Sequence, residues 1–190
     1  MKNIILLFPG QGSQYVGMTQ TIPQECQHLI QEADDLFGYS LSKVMEAGPD
    51  DELKLTYNAQ PAILIHSISQ YLAIKNHLPE EANLTVLGHS VGEYSALCAA
   101  GSISFENALQ AVHKRGKLMQ QAVPKGIGGM TAILKIPGDW AEKVSTALSK
   151  PGHIVEPANF NTPEQTVLSG HLEALGNAVQ WLKDNCPDRF

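Results

Sequence analysis

Leu84-Thr85-Val86-Leu87-Gly88-His89-Ser90-Val91-Gly92-Glu93-Tyr94-Ser95-Ala96-Leu97 is a short apolar run, then a G-x-S-x-G turn, then a helical stretch. A strand ending at Gly88 and a helix over Glu93 to Ala100 leave Ser90 on the sharp turn between them. Such a turn pushes a serine hydroxyl out of the carboxyl edge of a sheet, and flanking glycines let neighbouring backbone approach. The amino end of the helix beneath favours developing negative charge. Ser90 is therefore the candidate nucleophile.

Toward the amino terminus, Ile4-Ile5-Leu6-Leu7-Phe8 is stopped by Pro9-Gly10 and reads as a strand buried on both faces, the kind found in parallel sheets. Between the two strands, Leu64, Ile68, Tyr71 and Leu72 fall on one face of a helix with Pro61 in its first turn. Strand, helix, strand implies an α/β fold with a parallel sheet. Asp50-Asp51-Glu52 reads as a solvated helix start.

After Gly101-Ser102 a long helix capped by Ser104 carries Ala108, Val112 and Met119 on an apolar stripe and ends near Pro124. Lys125-Gly126-Ile127-Gly128-Gly129 reads as a hinge. Beyond it, Met130 to Ile136 alternates like a strand, Trp140 to Leu148 is helical, Ile154 to Phe160 and Thr166 to Ser169 read as strands, and Leu172 to Lys183 is a helix. That β-α-β-β-α order is a ferredoxin-like unit before its last strand. The expected division is a larger α/β piece over 1–124 and a smaller one over 125–190.

Composition narrows the chemistry. The 190 residues are 43% hydrophobic, enough for a sizeable core, and the mean hydropathy is −0.11. No apolar run approaches the ~18 residues of a membrane-spanning helix. Thirteen Lys+Arg against nineteen Asp+Glu leave a net charge of −6, the opposite of a nucleic-acid-binding footprint. Cys26, Cys98 and Cys186 form no C-x-x-C pair, and no H-x-x-x-H occurs, so neither a disulfide framework nor a metal site is expected. The five apolar residues near the start are too few for a signal peptide. A cytoplasmic enzyme is the expected class.

Pro9-Gly10-Gln11-Gly12-Ser13-Gln14 follows the first strand and so shares the carboxyl edge with Ser90. It does not read as a phosphate loop, because Tyr15 stands where a dinucleotide fingerprint needs glycine and no Gly-Lys-Ser/Thr occurs. Two readings stay open: a tight turn with glycine at positive φ, or an oxyanion loop in which the backbone N–H of Gln11 joins that of Val91. Arg115 lies on the stripe of Ala108, Val112 and Met119. It either snorkels or grips a carboxylate with its planar fork. None of the seven histidines is placed as a base for Ser90: His89 has a supporting position on the turn, and His113 lies on a different helix face from Arg115.

Phe8-Pro9-Gly10-Gln11-Gly12-Ser13-Gln14, Gly88-His89-Ser90-Val91-Gly92-Glu93-Tyr94-Ser95-Ala96-Leu97 and Arg115-Gly116-Lys117-Leu118-Met119-Gln120, in this order and spacing, strongly resemble malonyl-CoA:acyl carrier protein transacylases. Ala158-Asn159-Phe160-Asn161-Thr162-Pro163 and Val167-Leu168-Ser169-Gly170-His171 resemble that family's small subdomain. The resemblance spans the whole chain but only about three-fifths of a typical member. It implies an α/β-hydrolase-like large subdomain with a ferredoxin-like small one. It also implies a ping-pong transfer from malonyl-CoA, as substrate with no bound cofactor, to the phosphopantetheine thiol of an acyl carrier protein in fatty acid or polyketide biosynthesis. Ser90 would carry the malonyl group, the N–H groups of Gln11 and Val91 would hold the oxyanion, and Arg115 would pair with the malonyl carboxylate. Competing readings are the malonyl transferase subunit of a malonate decarboxylase, a serine esterase or thioesterase, and an inactive carrier-protein-binding remnant.

In that family the histidine base and the residue that orients it follow the small subdomain, which implies that this chain is an amino-terminal part. Sheet faces left uncovered would lower its stability. The 190 residues alone are expected to be nearly inactive, because losing a triad base costs on the order of 10⁶-fold in turnover. Mass-spectrometric assay of malonyl transfer to a carrier protein checks this, and rapid transfer would refute it.

Overall fold

The structure, a computed structural model, describes residues 2–122 and 126–187. The helix end expected at Pro124 and the first hinge residue, Lys125, lie outside them. The chain divides into two compact units, Met1–Ala122 and Val123–Phe190, each with its own apolar core.

The first unit runs β1 (Asn3–Phe8), α1 (Gln27–Phe37), α2 (Leu41–Ala47), α3 (Asp50–Leu53), α4 (Thr56–Lys75), β2 (Asn83–Gly88), α5 (Gly92–Ala99) and α6 (Phe105–Ala122). The acidic triplet opens α3 and is exposed, as expected. β1 and β2 pair in parallel from Asn3↔Asn83 to Phe8↔Gly88. The loops that follow the two strands therefore leave from the same edge.

One face of this pair is packed: Phe8, Tyr71 and Ala96 form a cluster joined by Leu6 and Val86. The other is open, with Ile5 60% and Leu7 74% exposed. The expectation of a strand buried on both faces is thus corrected. Helices cover one side of the pair among the described residues, so burial alternates along β1.

α4 begins a full turn before its proline, so Pro61 is an interior residue rather than part of the first turn. A proline there withholds the N–H that would pair with the carbonyl of Tyr57 four residues back. That carbonyl is met instead by Nδ1 of His113, on α6, at 3.1 Å. Leu64, Ile68 and Tyr71 are buried as expected, but Leu72 is exposed. The helix is buried on most sides from Asn58 to Ile65, which a one-faced stripe underestimates.

α6 is capped as expected, with Ser104 Oγ accepting from the Asn107 N–H at 3.2 Å. Ala108 and Val112 are fully buried, whereas Met119 is 44% exposed. α6 comes close to the backbone of α4 at Gly116. A Cβ there would lie 2.6 Å from Tyr57 Cα and 2.7 Å from the Thr56 carbonyl oxygen.

The second unit is β3 (Gly128–Leu134), α7 (Asp139–Leu148), β4 (Val155–Thr162), β5 (Gln165–His171) and α8 (Leu172–Asn185). Its antiparallel sheet has the order β3-β5-β4, that of the first three strands of a ferredoxin-like unit. Gly128 and Gly129, expected in a hinge, instead belong to β3 and pair with His171 and Gly170. Gly129 is small because Leu172 packs over it, 2.8 Å from where a Cβ would stand. Among the described residues no helix is long and apolar enough to cross a membrane.

Gly116→Ala sets helix propensity against the contact between the two helices. In an open helix the change would gain roughly 1 kcal/mol from propensity, but here the new methyl meets backbone, and overpacking costs about 1–3 kcal/mol. The urea midpoint should fall. A rise would show that α6 can move away from α4.

Candidate active site

Ser90 has φ of 54°, a left-handed conformation that costs a non-glycine residue of order 1–3 kcal/mol and persists only where neighbours over-determine it. The neighbours here are backbone. A Cβ on Gly88 would lie 2.1 Å from the Gly92 carbonyl oxygen, and a Cβ on Gly92 would lie 2.3 Å from that of Phe8 and 2.7 Å from that of Pro9. Both glycines of the motif are steric requirements. The chain doubles back after β2 so tightly that the start of α5 rests on the end of β1. Val91, fully buried, anchors the turn, and the N–H groups of Gly92 and Glu93 bond to the carbonyls of His89 and Ser90 at 2.9 and 3.1 Å.

The segment after β1 touches this turn. A Cβ on Gly10 would come within 2.5 Å of His89 Nδ1, and the His89 N–H donates to the Phe8 carbonyl at 3.1 Å. His89 thus packs between the two loops, in line with a supporting position. Gly12 has φ of 108°, its N–H donates to Gln14 Oε1 at 2.8 Å, and Ser13 Oγ donates to the Gly10 carbonyl at 2.9 Å. The tight-turn reading of this segment therefore holds. It does not compete with the oxyanion reading, because the backbone N–H groups of Gln11 and Val91 donate to no protein group among the described residues. The Gln11 side chain reaches Thr56 Oγ1 at 3.5 Å, at the long limit of a hydrogen bond.

Arg115 is where the structure adds most. Its side chain is half-buried, and its fork is divided: Nη2 donates to Ser90 Oγ at 3.0 Å and Nη1 to Gln60 Oε1 at 2.7 Å. The structure thus brings together two residues twenty-five positions apart that the sequence marked separately. Gln60, fully buried, is the site residue that sequence reasoning missed. Its signal is a glutamine directly before the apolar run Pro61 to Ile65, where a buried amide needs partners. Its Nε2 lies 3.3 Å from Met119 Sδ. Among the described residues the ion pairs involve Lys54, Lys143 and His153, and no carboxylate meets Arg115.

His113, His66 and His171 have other commitments. His113 is bonded to Tyr57 and stacks on Phe37 at 3.9 Å between ring centroids. Burial pushes its pKa below the usual imidazole value, Lys117 pushes the same way, and the bond to Tyr57 opposes them. His66 Nε2 lies 2.9 Å from Thr21 Oγ1, and burial lowers its pKa too. In the second unit, His171 Nδ1 accepts from the Ile154 N–H at 2.9 Å. Among the described residues no group of three or more His, Cys, Asp or Glu could hold a metal ion. The arrangement suits nucleophilic attack by a serine on an acyl compound that bears a negative charge.

Residues 5–186 match the family described as acyl transferase domain. The chain is 41% identical to the malonyl CoA-acyl carrier protein transacylase of Bacillus subtilis, over 97% of this chain and 59% of that protein. Among solved structures it resembles the same-named transacylase of Coxiella burnetii, with a TM-score of 0.88 at 34% identity, covering 97% of this chain and 59% of that one. It also resembles a malonyl-transacylase solved in complex with a type II polyketide acyl-carrier protein, with a TM-score of 0.87 at 37% identity, covering 98% and 60%. The chain spans about three-fifths of the length of these relatives.

Gln60→Leu removes the acceptor of Arg115 Nη1 while keeping the apolar volume. Leaving a fully buried donor unpaired costs about 1–3 kcal/mol; Arg115 is half-buried, so chemical denaturation should show a loss of at most that size. An unchanged midpoint would mean that solvent satisfies the guanidinium.

Proposed function

Because the chain belongs to the acyl transferase domain family, we propose that its first unit carries the nucleophile, oxyanion donors and carboxylate clamp of a malonyl-CoA:acyl carrier protein transacylase. The observation that carries this reading is a half-buried guanidinium, met among the described residues by neutral acceptors only, directly bonded to a serine held in a left-handed turn. Desolvating a charge without a counter-charge is costly. A substrate carboxylate supplies that counter-charge and accepts from the fork more strongly than a hydroxyl does.

In this reading Ser90 Oγ attacks the thioester carbonyl carbon of malonyl-CoA while its proton passes to a base. The carbonyl oxygen becomes an oxyanion that accepts from the backbone N–H groups of Gln11 and Val91. Collapse of the tetrahedral intermediate breaks the C–S bond, CoA leaves as its thiol, and a malonyl ester remains on Ser90. The thiol of an acyl carrier protein then attacks that ester and restores the serine. The malonyl-transacylase solved with its carrier protein supports the choice of acceptor. Arg115 contributes at both ends: it holds the malonyl carboxylate, and its Nη2 leaves Ser90 Oγ to do so while Gln60 retains Nη1. No cofactor is needed, since a thioester is already activated. The cytoplasm is the proposed location.

The test is prolonged incubation with malonyl-CoA followed by intact-mass and peptide analysis. One malonyl group should appear on Ser90, persist in buffer and leave on addition of a carrier-protein thiol. Arg115→Ala should abolish malonyl loading and spare acetyl loading. Rapid loss of the adduct to water would favour the esterase reading. A malonyl group absent from Ser90 under all conditions would leave the non-catalytic one.

A further inference from the structure

Arg115 can lie between Gln60 and Ser90 only if α6 keeps one rotational phase on α4. Gly116 sets how close the helices come, but a glycine has no side chain with which to resist rotation or sliding. Two residues before Arg115, His113 supplies that resistance. Its ring is buried, stacked on Phe37 at an interplanar angle of 15° and met edge-on by Tyr57 at 88°. Its Nδ1 lies 3.1 Å from the Tyr57 carbonyl oxygen, the acceptor that Pro61 deprives of its helical donor. Since a carbonyl only accepts, the proton must be on Nδ1. One defect in α4 is thereby repaired by the helix that carries the arginine, a turn of α4 away from Gln60.

We propose that His113 is a positioning residue for Arg115: its Nδ1–H stands in for the amide that Pro61 lacks and fixes the phase of α6 that puts the guanidinium between Gln60 and Ser90. The consequence for substrate rests on the transacylase reading above, but the geometry does not. A guanidinium displaced by an ångström no longer bridges both partners, and misplacements of that size are costly in catalytic sites. His113→Phe keeps a ring against Phe37 and removes the donor, whereas His113→Asn restores an N–H near the Nδ1 position.

The experiment uses the 190-residue chain. Long-range ¹H–¹⁵N spectra of the imidazoles should show His113 protonated at Nδ1 and bare at Nε2, and a proton on Nε2 alone would overturn the proposal. Guanidinium ¹⁵N spectra should show distinct Nη1 and Nη2 signals for Arg115 in the parent chain and in His113→Asn, and one averaged signal in His113→Phe. Calorimetric titration should show His113→Phe binding malonyl-CoA on the order of tenfold more weakly with acetyl-CoA unchanged, and His113→Asn restoring the difference. Unaltered Arg115 signals in His113→Phe, or equal losses for both thioesters, would refute the positioning role. If His113→Phe does not fold, the Arg115 signals of His113→Asn decide, and their averaging would refute it. A parent chain that does not prefer malonyl-CoA to acetyl-CoA would count against the transacylase reading alone, leaving the spectra to judge His113.

Discussion

Gly92 lies with its backbone directly against the carbonyls of Phe8 and Pro9, and there is no room between them for even one methyl group. That approach ties together three things that sequence order keeps apart. The parallel register that sets Phe8 opposite Gly88 brings the two strand ends level. The chain leaving β2 must then reverse at once to start α5 on the end of β1. The residue at the apex, Ser90, is left with a positive φ. Strain at the serine is thus a by-product of helix-on-strand packing, sustained by the burial of Val91 and by the cluster of Phe8, Tyr71 and Ala96 beneath. A looser turn would relax the serine and lift α5 away from the sheet.

The arginine depends on a second approach of the same kind. Gly116 brings α6 onto the first turns of α4, and α4 carries a fully buried amide and an interior proline side by side, Gln60 and Pro61. The glutamine is tolerated in the core because it is engaged by Arg115 and Met119. The proline is tolerated because another helix meets the carbonyl that it orphans. Such exceptions to local rules concentrate where geometry serves a site.

What was legible in the sequence was what short-range chemistry determines. The strand, G-x-S-x-G turn and helix around Ser90 could be read because sterics within a few residues dictate them, and Ser104 because a cap bonds three residues on. The readings that failed depended on partners distant in sequence. Ile5 and Leu7 look fully buried from their apolar run, yet what covers a strand is decided by the elements that pack on it. Pro61 looked like a helix start because its commonest place is the first turn, and His113, fifty-six residues from Tyr57, changes that accounting. Gly128 and Gly129 looked like a hinge until pairing with Gly170 and His171 put them in a strand. For the same reason Arg115 could be marked but not joined to Gln60 and Ser90.

The electrostatics of Arg115 join recognition to reactivity in the proposed reaction. Without a substrate the guanidinium shares its donors between two neutral oxygens, and the bond to Ser90 Oγ occupies a lone pair of the attacking atom. A neutral acyl group offers nothing better than that hydroxyl. A carboxylate does, since it meets the guanidinium with a full opposite charge and can accept two parallel bonds from its fork, and low local dielectric strengthens that attraction. The exchange needs little motion, because Gln60 can hold Nη1 while Nη2 changes partner. The acyl group that binds best is then also the one that frees the nucleophile, so selectivity for a carboxylate arises before any bond is made. This logic requires that no acidic side chain neutralise Arg115, and the structure meets that condition among its described residues.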